Sequence, residues 1–213
     1  MKNLLNLFSQ AAQKLGISLS PKTIPQFQTF FQELLIWNKK FNLTRITKEK
    51  EVFIDHFIDS LIPERFIPPK STLIDIGSGG GFPGIPLKII RPDIIVTLVD
   101  SSYKKVAFQR HIIRTLKLKN IIGIHERIEN ISSLNKVYSV CIGRAFASLT
   151  KYLLIALSLK APKGIIIAMK GPNYYKELGK IEKQLPQWGI SIKNLEKFVL
   201  PYTKKRRTII VFE

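Results

Sequence analysis

One cysteine is all the chain contains, Cys141, which leaves no disulfide framework and points to a reducing compartment, the cytoplasm. Long apolar runs are missing as well. None approaches the roughly 18 residues of a membrane span, and Ile165-Ile166-Ile167 is strand-sized, so no membrane partner is expected. Asn3, Asn6, Ser9 and Gln10 interrupt the apolar N-terminus, which reads as an amphipathic helix rather than a signal peptide. The three histidines, His56, His111 and His125, lack metal-ligand spacing with Cys141 or with carboxylates, and no metal is expected. A Gly-x-x-x-x-Gly-Lys-[Ser/Thr] phosphate loop is absent, and no Ser-His-Asp set can be picked out. Acids are scarce beside bases: 15 Asp and Glu against 34 Lys and Arg, a net charge of +19.

The acid deficit is uneven. Residues 1–65 carry 9 basic and 6 acidic side chains, net +3, whereas residues 66–213 carry 25 and 9, net +16. Lys104, Lys105, Arg110, Arg114, Lys117 and Lys119 fall on one acid-free helical stretch, and Lys204-Lys205-Arg206-Arg207 are consecutive. Two such clusters suit a polyanion, most simply nucleic acid. The competing explanation is compositional drift towards Ile, Lys and Asn, which leaves lysines on a solvated face.

At 213 residues the chain has room for one domain plus an appendage. Residues 4–15, 25–41 and 48–61 repeat apolar positions at helical spacing, among them Phe8, Phe27, Phe30, Phe31, Phe53 and Phe57, with no strand pattern. They predict an N-terminal helical cap over residues 1–65, handed over at Pro68-Pro69. From Ser71 strands alternate with helices. Strand-like runs lie at 72–76, 94–99, 121–124, 137–142, 165–169, 190–199 and 208–212, with helices over 85–90, 104–118, 149–159 and 174–185. The runs are continuously apolar, as parallel strands buried on both faces are. The last two have only a short connection and should form a hairpin, making one edge strand antiparallel. The predicted fold is α/β, a Rossmann-like, doubly wound seven-stranded sheet over residues 66–213.

Asp75-Ile76-Gly77-Ser78-Gly79-Gly80-Gly81 closes the first strand, and glycines there let a ligand cross the strand ends close to the backbone. A dinucleotide loop runs straight into a helix so that amides meet the pyrophosphate. Here Phe82-Pro83-Gly84-Ile85-Pro86 intervenes, and its prolines remove donors. Asp75 suits a cationic ligand end or an ordered turn beneath one. S-adenosylmethionine, with a sulfonium and an ammonium and no phosphate, fits this loop better than NAD. Asp100 ends the second strand, where a carboxylate accepts ribose hydroxyls of either cofactor; helix capping or a turn is the alternative for both acids. After the third strand, Glu126-Arg127-Ile128-Glu129-Asn130 reaches the adenine in this topology. Ile128 would lie on the ring and Glu129 at its edge, or the segment is a solvated first helical turn. Arg144 ends the fourth strand as a planar donor fork for carboxylate, phosphate or a guanine edge, or as a sheet-edge ion pair. No Asn-Pro-Pro-Tyr or Asp-Pro-Pro-Tyr follows, and no Pro-Cys pair, so Cys141 reads as a small buried hydrophobe.

Trp37-Asn38-Lys39-Lys40-Phe41-Asn42-Leu43-Thr44, His56-Phe57-Ile58-Asp59-Ser60-Leu61, Asp75 to Pro86, Val99-Asp100-Ser101 and Arg144-Ala145-Phe146-Ala147-Ser148-Leu149 follow in order. In these motifs the chain resembles the bacterial ribosomal RNA small-subunit methyltransferase G family, also called glucose-inhibited division protein B. The resemblance implies a class I S-adenosylmethionine-dependent methyltransferase that modifies N7 of one guanine in 16S rRNA of the small ribosomal subunit. It implies cofactor contacts at Gly77, Phe82, Ile128, Glu129 and Arg144, beside Asp75, Gly79 and Asp100 read from the loop and strand ends. The basic residues Lys104, Lys105, Arg110, Arg114, Lys204, Lys205, Arg206 and Arg207 become candidate RNA contacts. Arg144 is expected to position substrate or cofactor without a general base, because guanine N7 has a lone pair and no proton. Phe146 or Tyr103 could stack on the base. The chain departs from the family pattern at Asp55 (usually Arg), at Ser102-Tyr103 and at Gly143 (usually Ser), none of them in the glycine loop. A monomer is expected. The rival readings are an NAD-linked oxidoreductase and a non-catalytic RNA-binding assembly factor, the second opposed by the intact glycine loop.

Overall fold

A computed structural model describes residues 1–127, 130–131, 136–145 and 147–213. Its N-terminal part is helical: α1 (Lys2–Lys14), α2 (Thr23–Phe41) and α3 (residues 49–61). α2 ends on Asn42, a left-handed C-cap whose N–H returns to Asn38 O at 3.0 Å. α3 starts as an α-turn (Glu49–Glu51), continues as a π-helix (Val52–Ile58) and finishes as an α-turn (Asp59–Leu61). Such wide winding is rare and frequently sits at functional sites. Here it carries Asp55 and His56 within an otherwise apolar run, and Asp59 follows as its C-cap.

The sheet comprises β1 (Thr72–Ile76), β2 (Ile95–Asp100), β3 (Ile121–His125), β4 (Tyr138–Arg144), β5 (Lys160–Lys170), β6 (Ile192–Val199) and β7 (Arg206–Phe212), in the order β3-β2-β1-β4-β5-β7-β6. β1 to β5 run parallel, and β7 pairs antiparallel with both β5 and β6. The doubly wound sheet read from the sequence is therefore present, with the hairpin at one edge, β7 its inner strand and β6 its rim. α4 (Gly84–Ile90) and α5 (Tyr103–Thr115) pack on one face, α6 (Leu149–Leu159) and α7 (Tyr174–Ile181) on the other. Strand side chains alternate between the two cores. Leu73, Val140, Ile142, Ile167 and Val211 join the first, while Ile74, Cys141, Ile166, Ile210 and Phe212 join the second. Two buried faces explain why the strands read as unbroken apolar runs. β5 begins five residues ahead of its expected start because Lys160 already pairs with Tyr138 before the register shifts.

The cap completes the first core rather than standing apart from it. Phe8, Phe27, Phe30, Phe53 and Phe57 are each 0 % exposed. Phe30 carries the aromatic cluster into the sheet side, stacked on Phe82 at 5.2 Å and tilted against Phe108 at 6.0 Å. At about 2 kcal/mol per buried phenyl, these five rings contribute roughly 10 kcal/mol of burial, an upper estimate. No helix among the described residues is long and apolar enough to cross a membrane.

Candidate functional site

The parallel strands deliver their carboxyl ends to one side of the sheet, and the glycine loop follows β1 there. Gly77, Gly79 and Gly81 take φ of 72°, 56° and 93°, left-handed values that favour glycine. Most of the loop amides are already engaged. Gly77 and Ser78 N–H donate to Val99 O (both 2.9 Å), Gly81 and Phe82 N–H to Ser78 O (both 2.8 Å), and Ile85 N–H to Gly81 O (2.8 Å). Gly79 N–H donates to Asp100 Oδ2 at 2.8 Å and Gly84 N–H to Asp75 Oδ2 at 2.7 Å. Buried Gln109 on α5 donates from Nε2 to Ser78 Oγ (2.9 Å) and Gly79 O (2.7 Å). Loop amides turned inward in this way are not available to a pyrophosphate, which disfavours the NAD alternative.

Asp75 lies beneath the loop, wholly buried. Burial pushes its carboxyl up to about 7, countered by the Gly84 N–H and the Arg144 charge and reinforced by Asp100. A Cβ at Gly84 would collide with Leu98 and come within 2.9 Å of Asp75 Oδ2, so glycine is required for this approach. Asp75 thus fills the ordered-turn role that its sequence position allowed.

Above the loop opens a cleft of about 650 Å³, bounded by Gly77, Asp100, Ser101, Lys105, Glu126 and Ala145 among others. Asp100 ends β2 at its rim. Its Oδ2 holds Gly79 and its Oδ1 accepts from Ser102 N–H at 2.9 Å, leaving a second lone pair on each oxygen. A second cavity, about 490 Å³, shares Ala145 and Ala147 with the first and is lined by Asp55, His56, Asp59, Arg144, Lys170 and Arg207 among others. The two shared alanines take φ of 52° and 41°. Non-glycine residues in that region cost of order 1–3 kcal/mol each and cluster at functional sites.

Arg144 is the hub between cap and sheet. Its Nη1 donates to Asp55 O (3.1 Å) and reaches Asp59 Oδ2 (3.5 Å), and its Nη2 donates to His56 Nδ1 (3.0 Å). The guanidinium also lies over the Phe82 ring, 5.3 Å from its centroid. Burial presses the Arg144 pKa below its usual value, and the carboxylates of Asp59 and Asp75 oppose that shift. His56 shifts in the same direction. Burial, with the Arg144 charge second, pushes its imidazole down to about 3, so the ring is neutral at physiological pH. A neutral ring accepting at Nδ1 carries its proton on Nε2, which then donates to Thr44 Oγ1 at 2.9 Å. The same ring stacks on Phe82 at 4.5 Å, and Phe30 covers the Phe82 ring at 5.2 Å. Asp55 pairs with Lys205 at 2.6 Å and Asp59 with Arg207 at 3.1 Å. Asp55 Oδ1 and Asp59 Oδ1 have no hydrogen-bond partner among the described residues.

Of the residues read from the sequence, the structure gathers Gly77 and Asp100 on the cleft and Arg144 on the adjoining cavity. Gly79 orders the loop, and Phe82 is 5 % exposed within the cap interface. Ile128, Glu129 and Phe146 lie outside the described residues. Lys104 and Lys105 open α5 at the carboxyl side of the sheet, where the β6–β7 turn also brings Lys204 and Arg206. Arg110 and Arg114 are about 8 Å and about 14 Å beyond Lys105 along α5, at about 1.5 Å per residue, and Arg110 Nε donates to Gly123 O. Lys205 and Arg207 are the partners of Asp55 and Asp59. Missed by sequence reasoning were the roles of Asp55, His56 and Asp59. The signal available was the three ionisable groups inside the mostly apolar run from Val52 to Ile62.

Residues 23–209 match the family model described as rRNA small subunit methyltransferase G. The ribosomal RNA small subunit methyltransferase G of Geobacter sulfurreducens is 35 % identical over 205 residues, 96 % of this chain and 94 % of that one. Its counterpart in Desulforamulus reducens is 37 % identical over 218 residues, 100 % of this chain and 91 % of that one. Among solved structures, precorrin-6y C5,15-methyltransferase from Geobacter metallireducens aligns with a TM-score of 0.58 at 11 % identity, over 79 % of this chain and 89 % of that one. TYW2 from M. jannaschii, in complex with AdoMet, aligns with a TM-score of 0.56 at 16 % identity, over 73 % and 74 %. The structural likeness is one of fold, that of class I methyltransferases.

Proposed function

The chain belongs to the rRNA small subunit methyltransferase G family, and from that premise we propose that it methylates N7 of a guanine in 16S rRNA of the small ribosomal subunit, using S-adenosylmethionine. The observation that carries this is the pair of adjoining cavities at the strand ends, one built by the glycine loop and Asp100, the other by Arg144 and the cap.

The cleft fits the cofactor. Its volume is of the size that holds a nucleoside-like ligand, and Asp100 keeps lone pairs for two ribose hydroxyls. Gly77 lines the wall, where its lack of a side chain admits close approach. Asp100, Gly77 and Gly79 would hold the cofactor, with Ile128 and Glu129 proposed at the adenine. When bound, S-adenosylmethionine supplies an electrophilic methyl group on a sulfonium leaving group. The chain's own contribution is placement and exclusion of water, an effect worth several kcal/mol. No residue has to accept a proton, since guanine N7 bears none. The neutral, hydrogen-bonded His56 and the buried Asp75 accordingly need not act as bases; Asp75 is proposed to order the loop against the cofactor, and Arg144 holds the wall of the cavity next to the cofactor cleft. Exposed Lys104, Lys204 and Arg206, with Lys105, are proposed to meet RNA phosphates on the same side of the sheet, and Arg110 and Arg114 to extend that contact. Arg207 lines the second cavity, and Lys205 and Arg207 are both paired with cap carboxylates. A cytoplasmic monomer, with a cap over 1–65 and a catalytic domain over 66–213, suits this task. Titration calorimetry tests the cofactor: saturable binding of S-adenosylmethionine with none of NAD is expected, and the reverse pattern overturns the proposal.

A further inference from the structure

A third cavity, about 510 Å³, lies outside both parts of the site, between α7 and the β6–β7 hairpin. Tyr174, Tyr175, Lys197, Val199 and Arg206 line it, and none of the described residues that line it is acidic. Tyr175 is 56 % exposed and Val199 55 %, an unusual apolar surface beside two exposed cations. Lys197 Nζ stands 5.8 Å from the centre of the Tyr174 ring, and Tyr175 meets that ring edge-on at 6.1 Å. Arg207 lines this cavity and the Arg144 cavity alike, and Gly171 of one is followed by Pro172 of the other, so the two adjoin.

Exposed aromatic faces interleaved with cations, free of acids, are the surface that single-stranded nucleic acid recognises: bases stack and phosphates meet the charges. An acidic peptide would use the cations but leave the tyrosine faces wet. We propose that this groove takes the single-stranded nucleotides flanking the target guanine, with one base stacked on Tyr175 and the backbone running past Lys197 and Arg206. The proposal rests on the rRNA substrate assigned above and adds the element that grips the strand beside it. It also gives the enzyme a means of holding an unpaired segment, which folded RNA must offer before a base can enter a cavity.

The test compares Tyr175→Ala and Tyr175→Phe with wild type on small subunits lacking the modification, using labelled S-adenosylmethionine. Tyr175→Ala should lower kcat/KM for the subunit about tenfold, within the range of a lost base stack, mainly through KM. Tyr175→Phe should stay within twofold of wild type, and the Kd for S-adenosylmethionine should not change in either variant. In parallel, a single-stranded RNA oligonucleotide carrying 2-aminopurine beside the target guanine should be quenched by wild type and Tyr175→Phe but not by Tyr175→Ala. Equal turnover of Tyr175→Ala and wild type would overturn the proposal, as would equal losses in both variants. Impaired turnover with unchanged quenching would assign the groove to a ribosomal protein and overturn it too. A wild-type protein that methylates no subunit RNA would instead overturn the functional reading on which the proposal rests.

Discussion

Replacing Arg144 by Ala should cost the fold about 3 kcal/mol. The guanidinium donates to Asp55 O at 3.1 Å and His56 Nδ1 at 3.0 Å, and lies 5.3 Å from the Phe82 centroid. Two charge-assisted hydrogen bonds at about 1.5–2 kcal/mol each and a cation–π contact near 1 kcal/mol give a gross loss of about 4–5 kcal/mol. Two effects reduce it. Asp59 keeps Arg207 at 3.1 Å, so its carboxylate is not abandoned. The cost of burying Arg144 itself, visible in its lowered pKa, is recovered on removal. Urea unfolding followed by far-UV circular dichroism checks the figure. With a slope of about 2 kcal/mol per molar, the midpoint should fall by roughly 1.5 M. A fall below about 0.3 M would refute the argument and leave Arg144 as a ligand-facing residue only. Methylation by this variant is informative only where its folded fraction has been measured.

Stability should also depend on His56. Its folded pKa of about 3 lies below the unfolded 6.5, so between those values the unfolded chain binds more protons and stability drops as pH falls. Asp75, raised to about 7, works the other way, favouring the folded state as pH falls from 7 towards 4. His56→Gln should therefore remove the acid-side loss below pH 6.5 relative to wild type in urea titrations at each pH; parallel pH curves for the two proteins would contradict the assignment. Gly84→Ala should destabilise by about 2–3 kcal/mol through its collision with Leu98 and Asp75, read as a lowered thermal midpoint. Asp100→Asn should weaken S-adenosylmethionine binding at least tenfold by calorimetry, because an amide cannot accept from both Gly79 and Ser102 and still serve two hydroxyls.

The sheet was legible because its signal is local. Apolar runs such as 72–76 and 137–142 announce strands buried on both faces, and the glycines after Asp75 mark the strand end that needs positive φ. Phe82-Pro83-Gly84 was legible as something other than a dinucleotide loop, and the inward amides supply the reason. What the sequence withheld depends on contacts between distant segments. Arg144 meets Asp55 and Asp59 across 85 residues or more, and Lys205 reaches Asp55 across 150. The π-winding that presents Asp55 and His56, and ends at Asp59, leaves no periodic mark in a run this short and apolar. The packing of Phe82 is likewise invisible in sequence, since Phe30 and His56, which stack against its ring, come from distant segments. The same distance effect explains the hairpin. Its cations look like free charge in sequence, and two of them turn out to neutralise cap carboxylates.

The central claim is tested most directly by incubating the protein with labelled S-adenosylmethionine and small ribosomal subunits that lack the modification, then analysing the 16S rRNA nucleosides by mass spectrometry. The account predicts label in 7-methylguanosine at a single position. Label in another nucleoside, or none with a protein shown to bind the cofactor, would contradict it.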